Sequence, residues 1–311
     1  MRILIGYDGS ESADVALRDL PHAGLPSEAE ALIVTVADVM MTAEPLSYEL
    51  VGPALVSGRA SGIMFAQAQT LRAMKEAENF ASHASDQVRT FFPGWKVRAE
   101  AVSGDPATEL IRKADKWRAD LVVVGSQGRS AVGRLLLGSV SKKLVTNLKS
   151  SVRVVRGLSQ SEADVAPKIL IGVDGSPGAE RAVRSVGSRV WPADTEIRVV
   201  AVDDGTSPTS ISAILPTTTE MITACNEESA VAARTMVEWA ENELNAIGLK
   251  TSVIFRHGDA QRVLLDEARK FEADSIFVGS RQFSSAFERF SLGSVSTGLV
   301  TKASSAVEVV R

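Results

Sequence analysis

The sequence has few of the residues that cross-link chains or bind metals. Among 311 residues there is one cysteine, Cys225, and there are three histidines, His22, His83 and His257. A single cysteine cannot form a disulfide within the chain, so its cysteine content does not point to an oxidising compartment. No two histidines have the spacing of metal ligands. The sequence therefore predicts neither a disulfide framework nor a zinc site.

Long apolar runs and an excess of basic residues are also missing. No stretch approaches the roughly 20 apolar residues of a membrane-spanning helix, and the short apolar start at residues 3–6 is too brief for a signal peptide. The formal net charge is −4, from 34 Lys and Arg against 38 Asp and Glu. No basic stripe accompanies this charge. We expect a cytoplasmic globular protein that binds neither nucleic acid nor membranes.

What the chain does contain is an internal repeat. RILIGYDGSESADVALRDL, from Arg2, recurs as KILIGVDGSPGAERAVRSV, from Lys168, and the halves end alike in SVRVVR and AVEVVR. The middle segments SGDPATELIRKADKWRADLVVVGS and HGDAQRVLLDEARKFEADSIFVGS also correspond. Ordered agreement at the start, middle and end indicates a duplication. The polar segment 157–167 predicts a linker between a first domain, 1–156, and a second domain, 168–311.

Each copy alternates short apolar strand patterns with helical ones. In the first copy, strands are predicted at residues 2–7, 31–37, 96–102, 121–124 and 152–155, and a helix at 10–23. Asp105, followed by proline, predicts a helix N-cap, as does Asp259 in the second copy. Segments 40–62 and 205–219, rich in Pro, Ser, Thr and Gly, predict mobile loops. The apolar face predicted for the long helix after strand two consists of Leu71, Met74, Ala77, Phe80, Ala84 and Val88.

This pattern predicts an α/β fold. Five strands separated by helices give an open, doubly wound, five-stranded parallel sheet in each copy. In such a sheet, ligands bind at the carboxyl ends of the strands, near the point where strand order reverses. Two tandem Rossmann-like domains are therefore expected, each with its candidate site at that edge.

Two segments of the first copy leave strand ends with unusual composition. One carries Asp8; the other runs from Gly125 through Gly128 to a helix start near Ser139. Small residues and a helix N-terminus suit phosphate oxygens, and the hydroxyls of Ser139 and Ser141 are candidate donors. Arg129 either meets a phosphate or stays solvated, and a carboxylate at residue 8 suits a ribose or adenine. The alternative is that the glycines only turn the chain.

Familiar phosphate and catalytic motifs are absent. Gly133 to Ser139 has the length of a P-loop but no lysine after its second glycine, and G-x-G-x-x-G is missing after strand one. Ser10 and Ser176 follow strand ends, yet no histidine is tied to either by the sequence. We therefore predict no catalytic residues.

Gly125-x2-Gly128-x9-Gly138-Ser139, together with Asp8 at the end of strand one, resembles the universal stress protein family. The resemblance extends over nearly the whole chain, once per copy. It implies an ATP site in which Asp8 and the backbone of Val36 contact the nucleoside, and an intramolecular pair of domains joined through their last strands. The residues that it assigns to the ribose and phosphates are Val124, Gly125, Gly128, Gly138, Ser139, Val140 and Ser141.

The second copy departs from this pattern. Gln282 or Phe283 stands where the middle glycine belongs, and the following loop is one residue longer. A side chain there hinders close approach of the backbone to a ligand. ATP binding by this copy is left open. Its corresponding residues are Asp174, Val202, Gly279, Gly293, Ser294, Val295 and Ser296.

The functional hypothesis is a tandem, ATP-binding stress-response or signalling module whose nucleotide sits mainly in the first domain. Two alternatives stay open: a slow ATP hydrolase using the same pocket, and an interaction scaffold that binds no nucleotide. An accompanying Mg²⁺, a homodimer and an unidentified protein partner are left open as well.

Overall fold

The computed structural model describes residues 1–37, 55–129, 137–157, 166–203, 217–280 and 293–311, with backbone alone for 55–66 and 217–230. The first copy contains β1 (Arg2–Gly6), α1 (Glu11–Asp19), β2 (Glu30–Ala37), α2 (Leu55–Phe91), β3 (Lys96–Ser103), α3 (Pro106–Trp117), β4 (Leu121–Gly125), α4 (Ser139–Asn147) and β5 (Ser151–Val155). The second contains β6 (Lys168–Val173), α5 (Pro177–Gly187), β7 (Glu196–Asp203), α6 (Thr217–Ala246), β8 (Lys250–His257), α7 (Ala260–Phe271), β9 (Ser275–Gly279), α8 (Ser294–Lys302) and β10 (Ala306–Val310).

The strands of the described residues form one sheet in the order β3-β2-β1-β4-β5-β10-β9-β6-β7-β8. Pairing is parallel within each copy, with the order 3-2-1-4-5 and its counterpart 8-7-6-9-10. The predicted doubly wound parallel fold is therefore confirmed. At the centre β5 and β10 run antiparallel, so the two last strands join the copies within the chain.

The two faces of the sheet are packed differently. On the face covered by α3, α4, α7 and α8, one apolar cluster extends through both copies. On the other face, α1 and α2 cover one cluster and α5 and α6 cover a second. Inner strands such as β4 read as continuous apolar runs because both of their sides are covered, whereas the edge strands β3 and β8 contain no buried residue.

Two predicted helix starts are found in the structure, but one predicted helix end is not. Asp105 accepts the N–H of Thr108 at 2.9 Å, and Asp259 accepts the N–H of Arg262 at 2.7 Å, so both predicted N-caps are confirmed. The helix expected at 10–23 is shorter. α1 ends at Asp19 and continues as a 3₁₀ turn, Leu20–His22. The proline in this turn has no N–H to continue the α-helical pattern.

The long helix α2 corrects one prediction. Leu71, expected in the core, is 70% exposed, whereas Ala77, Ala84 and Val88 are buried. With 37 residues, α2 is about 55 Å long, about twice the length of an eight-residue strand. The buried apolar residues described in α2 begin at Ala77, and Met74 and Phe80 are partly buried.

The predicted loops after β2 and β7 are wrong where the structure describes them. Residues 55–62 are helical in α2 and residues 217–219 are helical in α6. Residues 40–54 and 205–216, and most of the predicted linker at 158–165, lie outside the described residues.

Candidate functional site

The candidate site of the first copy lies where strand order reverses. β1 has β2 on one side and β4 on the other. The chain moves outward from β1 to β3 and then returns to β4, so the loops that follow β1 and β4 diverge at the same edge. In open α/β sheets this divergence forms the crevice in which ligands bind. The loop with Asp8 and the glycine-rich loop leave from these two strands.

The loop after β1 is held by its own hydrogen bonds. Asp8 Oδ1 accepts the N–H of Ser10 at 3.0 Å, and Ser10 Oγ caps α1 by accepting the N–H of Ala13 at 3.2 Å. Gly9 between them has φ +74°, and a Cβ there would lie 2.6 Å from the ring of Phe80. The turn thus needs glycine at residue 9 and fixes the carboxylate of Asp8 at the strand end.

The glycine-rich loop is pinned at both of its described ends. A Cβ on Gly125 would lie 2.5 Å from the carbonyl oxygen of Ser12, so β4 and α1 can approach closely only because this residue is glycine. Ser126 is buried, its N–H donates to Val155 O at 2.8 Å, and its carbonyl accepts the N–H of Gly138 at 2.8 Å. The loop therefore begins and ends at one place, although residues 130–136 lie outside the described residues.

The two loops touch. Asp8 Oδ2 accepts the N–H of Arg129 at 3.2 Å, and Ser10 Oγ donates to Gln127 O at 3.4 Å. A Cβ on Gly128 would lie 3.0 Å from Asp8 Oδ2. The structure thus brings together Asp8, Gly128 and Arg129, which sequence reasoning placed in one site.

Helix α2 borders the site with residues that the sequence did not indicate. Arg129 Nη1 forms an ion pair with Glu76 Oε1 at 2.6 Å, with both side chains 53% exposed. The guanidinium carbon of Arg129 lies 5.3 Å from the centre of the Phe80 ring. No sequence spacing relates Glu76 to Arg129, because 53 residues separate them. The sequence did single out Phe80, but as a core residue on the apolar face of the long helix.

Tyr7 directly precedes Asp8, at the start of the loop after β1. Its hydroxyl donates to Asp14 Oδ1 at 2.5 Å, and its ring packs edge-on against Phe80 with centroids 6.4 Å apart. Burial, followed by the hydrogen bond to Asp14, raises the pKa of Tyr7 far above its ordinary value. The phenol therefore stays protonated and supports the wall of the site.

The three residues assigned to the start of α4, Ser139, Val140 and Ser141, lie in different environments. Ser139 is exposed at the first helical position, after Gly138 as N-cap without a side-chain cap. Ser141 is buried and its hydroxyl donates to Gly125 O at 2.7 Å. Val140 is partly buried against the core. The N–H groups of the first turn and the hydroxyl of Ser139 are thus the donors at this end, and the hydroxyl of Ser141 has a structural partner.

Val36 and Val124 can contribute only through their backbones. The side chain of Val124 is buried in the core, and that of Val36 packs against it. β2 extends beyond β1, whose Tyr7 N–H donates to Val34 O at 3.1 Å. Backbone groups alternate along a strand, so the carbonyl of Val36 points to the same side as that of Val34, toward the loop with Asp8.

The second copy repeats the first loop. Asp174 is exposed, and its Oδ1 accepts the N–H of Ser176 at 3.1 Å. Gly175 has φ +77°, as the turn requires. Gly279 lies so close to Gly178 that a Cβ would stand 2.1 Å from the latter's carbonyl carbon. The Asp–Gly–Ser turn and the tight strand end are thus common to both copies.

The start of α8 also resembles that of α4, and the loop before it is less fully described. Gly293 is the N-cap, Ser294 is exposed and Val295 packs against the core. Ser296 Oγ donates to Gly279 O at 3.3 Å. Val202 is partly buried. The two positions at which the motif breaks, Gln282 and Phe283, lie outside the described residues.

In the part of the chain that the structure describes, no group of three or more His, Cys, Asp or Glu side chains could hold a metal ion. In the same residues no helix is long and apolar enough to cross a bilayer.

Comparison with known proteins gives consistent results. A sequence model of the universal stress protein family matches residues 1–156 and 166–311. A universal stress protein of Mycolicibacterium smegmatis is 28% identical over 324 residues, covering 99% of this chain and 96% of that protein. One from Methanocaldococcus jannaschii is 30% identical over 162 residues, covering 50% of this chain and 81% of that protein. A solved universal stress protein from Archaeoglobus fulgidus has the same fold, with a TM-score of 0.62 at 20% identity, covering 100% of this chain and 98% of that one.

Proposed function

The chain belongs to the universal stress protein family, and from that membership we propose that its first copy binds ATP and that the protein is a cytoplasmic, nucleotide-regulated module of the stress response. The proposal goes beyond membership, because a shared fold does not by itself fix a ligand. It is supported by the residues at the crevice between the loops after β1 and β4.

The observation that carries the proposal is the space around Gly128. Gly125 and Gly138 are explained by packing, since a Cβ would lie 2.5 Å from Ser12 O in the first case and 3.2 Å from Ser126 O in the second. Gly128 has no left-handed φ, and among the described residues a Cβ there would have only Asp8 Oδ2 within 4 Å. The described contact of this Cβ is thus a single side-chain oxygen at 3.0 Å, whereas the Cβ positions on Gly125 and Gly138 meet backbone atoms. A glycine with only this side-chain contact is compatible with a ligand that approaches the backbone closely.

The donors and acceptors at this space match the parts of a nucleotide. The open first turn of α4, with the exposed Ser139, offers N–H groups and a favourable dipole to phosphates. The carboxylate of Asp8 is an acceptor for ribose or base donors, and the carbonyl of Val36 is an acceptor on the same side. Arg129 can leave its exposed ion pair with Glu76 at little cost, because such pairs contribute about 0–1 kcal/mol. Any Mg²⁺ would come with the phosphates of the nucleotide.

The second copy is proposed to bind ATP weakly or not at all. It keeps the Asp174 turn and the start of α8, but it has Gln282 or Phe283 in place of the glycine that leaves space free in the first copy. The expected stoichiometry is one ATP per chain.

Two matched variants test the proposal. Asp8 and Asp174 make the same local hydrogen bond, to the N–H of the residue two positions on, at 3.0 and 3.1 Å. Both Asp8→Ala and Asp174→Ala remove this local bond, and Asp8→Ala also removes the bond from the N–H of Arg129, so the thermal midpoint of each variant is measured beside its ATP affinity. Only the first should weaken ATP binding, by about 1.5–3 kcal/mol for a hydrogen bond to a charged group, which is about tenfold to a hundredfold in Kd.

Calorimetric titration of the intact chain with ATP measures both the affinity and the stoichiometry. Gly128→Val is a third variant, which should abolish binding because its side chain fills the space and meets the Asp8 carboxylate, 3.0 Å from the Cβ position; its circular dichroism spectrum should match that of the parent. Equal ATP affinity in the parent, Asp8→Ala and Gly128→Val would refute the assignment of the site. No heat and no thermal stabilisation at millimolar ATP would favour the scaffold alternative.

A further inference from the structure

The joint between the two copies buries charged side chains at its centre. In the antiparallel pair of β5 and β10, Arg153 lies directly opposite Glu308. Both side chains are 0% exposed, and Arg153 Nη1 lies 3.6 Å from Glu308 Oε2. This pair is flanked on the same face by Asp19, which is 2% exposed, and by Arg189, which is 6% exposed.

The four side chains form a row of alternating charge. Arg153 Nε donates to Asp19 Oδ2 at 2.6 Å and its Nη2 donates to Oδ1 at 3.1 Å. On the other side Arg189 pairs with Glu308. Burial lowers the pKa of Arg153, but Asp19 and Glu308 more than offset this effect and hold it above its ordinary value. The row therefore runs negative, positive, negative, positive across the joint.

The row is asymmetric although the fold is symmetric. SVRVVR and AVEVVR align Arg153 with Glu308, and the register pairs Val152 with Val309 and Val154 with Val307. The local twofold axis that relates the copies therefore passes between Arg153 and Glu308. The flanking residues differ in the same way, since Asp19 corresponds to Ser185 and Arg189 corresponds to Ala23.

Because Arg153 and Glu308 lie on the local twofold axis, their charges decide which strand edges can pair. If β5 paired in the same register with β5 of a second chain, Arg153 would face a second Arg153, because a twofold interface places each axial residue opposite itself. Two β10 strands would likewise place carboxylates together. Like charges directly opposite are unfavourable in a sheet, although each Arg153 would keep Asp19 and each Glu308 would keep Arg189 of its own copy. Only a β5 edge against a β10 edge gives alternating charge.

We propose that Arg153 and Glu308 make the two inner edges selective, so that the β5 edge accepts a β10-type edge and rejects a second β5. The partner that fits each edge is thus the opposite copy of this domain, in the same chain or in another, and pairing between like copies is excluded. The apolar part of the joint does not discriminate in this way, because valines flank the central residue in both strands.

A charge exchange in the full chain tests the selectivity. The parent for the test is D19S/R189A, in which each flanking residue is replaced by the residue that stands at the corresponding position of the other copy. In this parent the central pair has no flanking charge. Arg153→Glu then places two carboxylates opposite each other, Glu308→Arg places two guanidinium groups opposite each other, and the double exchange restores opposite charge with its polarity reversed.

Each variant is refolded alone, and the two single variants are also refolded together. We expect both single variants to unfold at a lower denaturant concentration than the parent. The double exchange should recover most of that loss of stability and remain a monomer of 33.0 kDa. The mixture of single variants should form a one-to-one heterodimer, because the basic edges of one chain match the acidic edges of the other. Native mass spectrometry separates this heterodimer from homodimers by mass.

Three results would overturn the proposal. In the first, the single variants unfold at the midpoint of the parent. In the second, the double exchange is no more stable than the single variants, which would indicate that size and shape at these positions matter and complementary charge does not. In the third, the mixture contains only the species found in the separate samples.

Discussion

Gly24 lies where the two copies touch, and we expect its replacement by alanine to weaken that contact. Its φ is +62°, and a Cβ there would lie 2.8 Å from the indole of Trp191 in the second copy. The indole cannot easily retreat, because its Nε1 donates to Val186 O at 2.8 Å. The backbone is also held, since the N–H of Val190 donates to Gly24 O at 3.0 Å. Gly24→Ala therefore meets both an unfavourable backbone conformation and an overlap with a fixed ring.

The chain offers a control that separates these two costs. Gly248 has φ +83° and nothing within 4 Å of the position of a Cβ. Gly248→Ala should therefore cost only the left-handed conformation, about 1–2 kcal/mol. Gly24→Ala should cost this and a further 1–3 kcal/mol or so for overpacking, which gives about 2–5 kcal/mol in total.

Denaturant unfolding of the intact chain, followed by tryptophan fluorescence, measures both variants against the parent. The difference between them is the contribution of the contact between the copies. Gly24→Ala should cost less in a Trp191→Leu chain than in the parent, because a smaller side chain leaves room for the methyl group. Equal midpoints for Gly24→Ala and Gly248→Ala would show that Gly24 and Trp191 do not pack as described.

Three further outcomes are expected from denaturation of single variants. Leu71→Ala should change the free energy of unfolding by no more than about 0.5 kcal/mol, because Leu71 is 70% exposed, whereas Leu17→Ala, at a site 0% exposed, should cost about 2–5 kcal/mol. Ser141→Ala removes a buried donor from a backbone carbonyl and should cost about 1–3 kcal/mol; no loss would mean that the carbonyl finds another donor. Asp105→Ala removes an N-cap and should cost about 1 kcal/mol at neutral pH. Hydrogen bonds from the hydroxyl and N–H of Thr108 lower the pKa of Asp105, so its contribution is complete above the unfolded pKa of about 3.9 and is lost as pH falls through the folded pKa; a cost that stays constant into acid would contradict this.

The sequence predicts the fold well because the duplication allows each element to be identified twice. Buried strands such as Leu121–Gly125 are short apolar runs, and the N-caps at Asp105 and Asp259 have direct local signals. The error at Leu71 has a physical origin. Helical periodicity indicates which face of a helix is apolar, but it does not show how far along the helix the sheet extends.

The candidate site is predicted in part. Asp8 and Gly128 were found because they belong to loops that leave neighbouring strands. The fixed hydroxyl of Ser141 was not foreseen, because its acceptor, Gly125 O, becomes a neighbour only when α4 packs on the sheet. Glu76 and Ser12 were missed for the same reason: each reaches the glycine-rich loop through tertiary packing, and neither belongs to a local motif.

The buried pair at the centre of the sheet also bears on how such a chain can change over generations. Two identical copies could be encoded by separate genes and still pair with each other as a homodimer. Under the selectivity proposed for Arg153 and Glu308, a copy with arginine and a copy with glutamate at the same buried position cannot replace each other at the joint. If the halves were ever encoded separately, they would have to be kept and produced together, because each would lack a surface that matches its own.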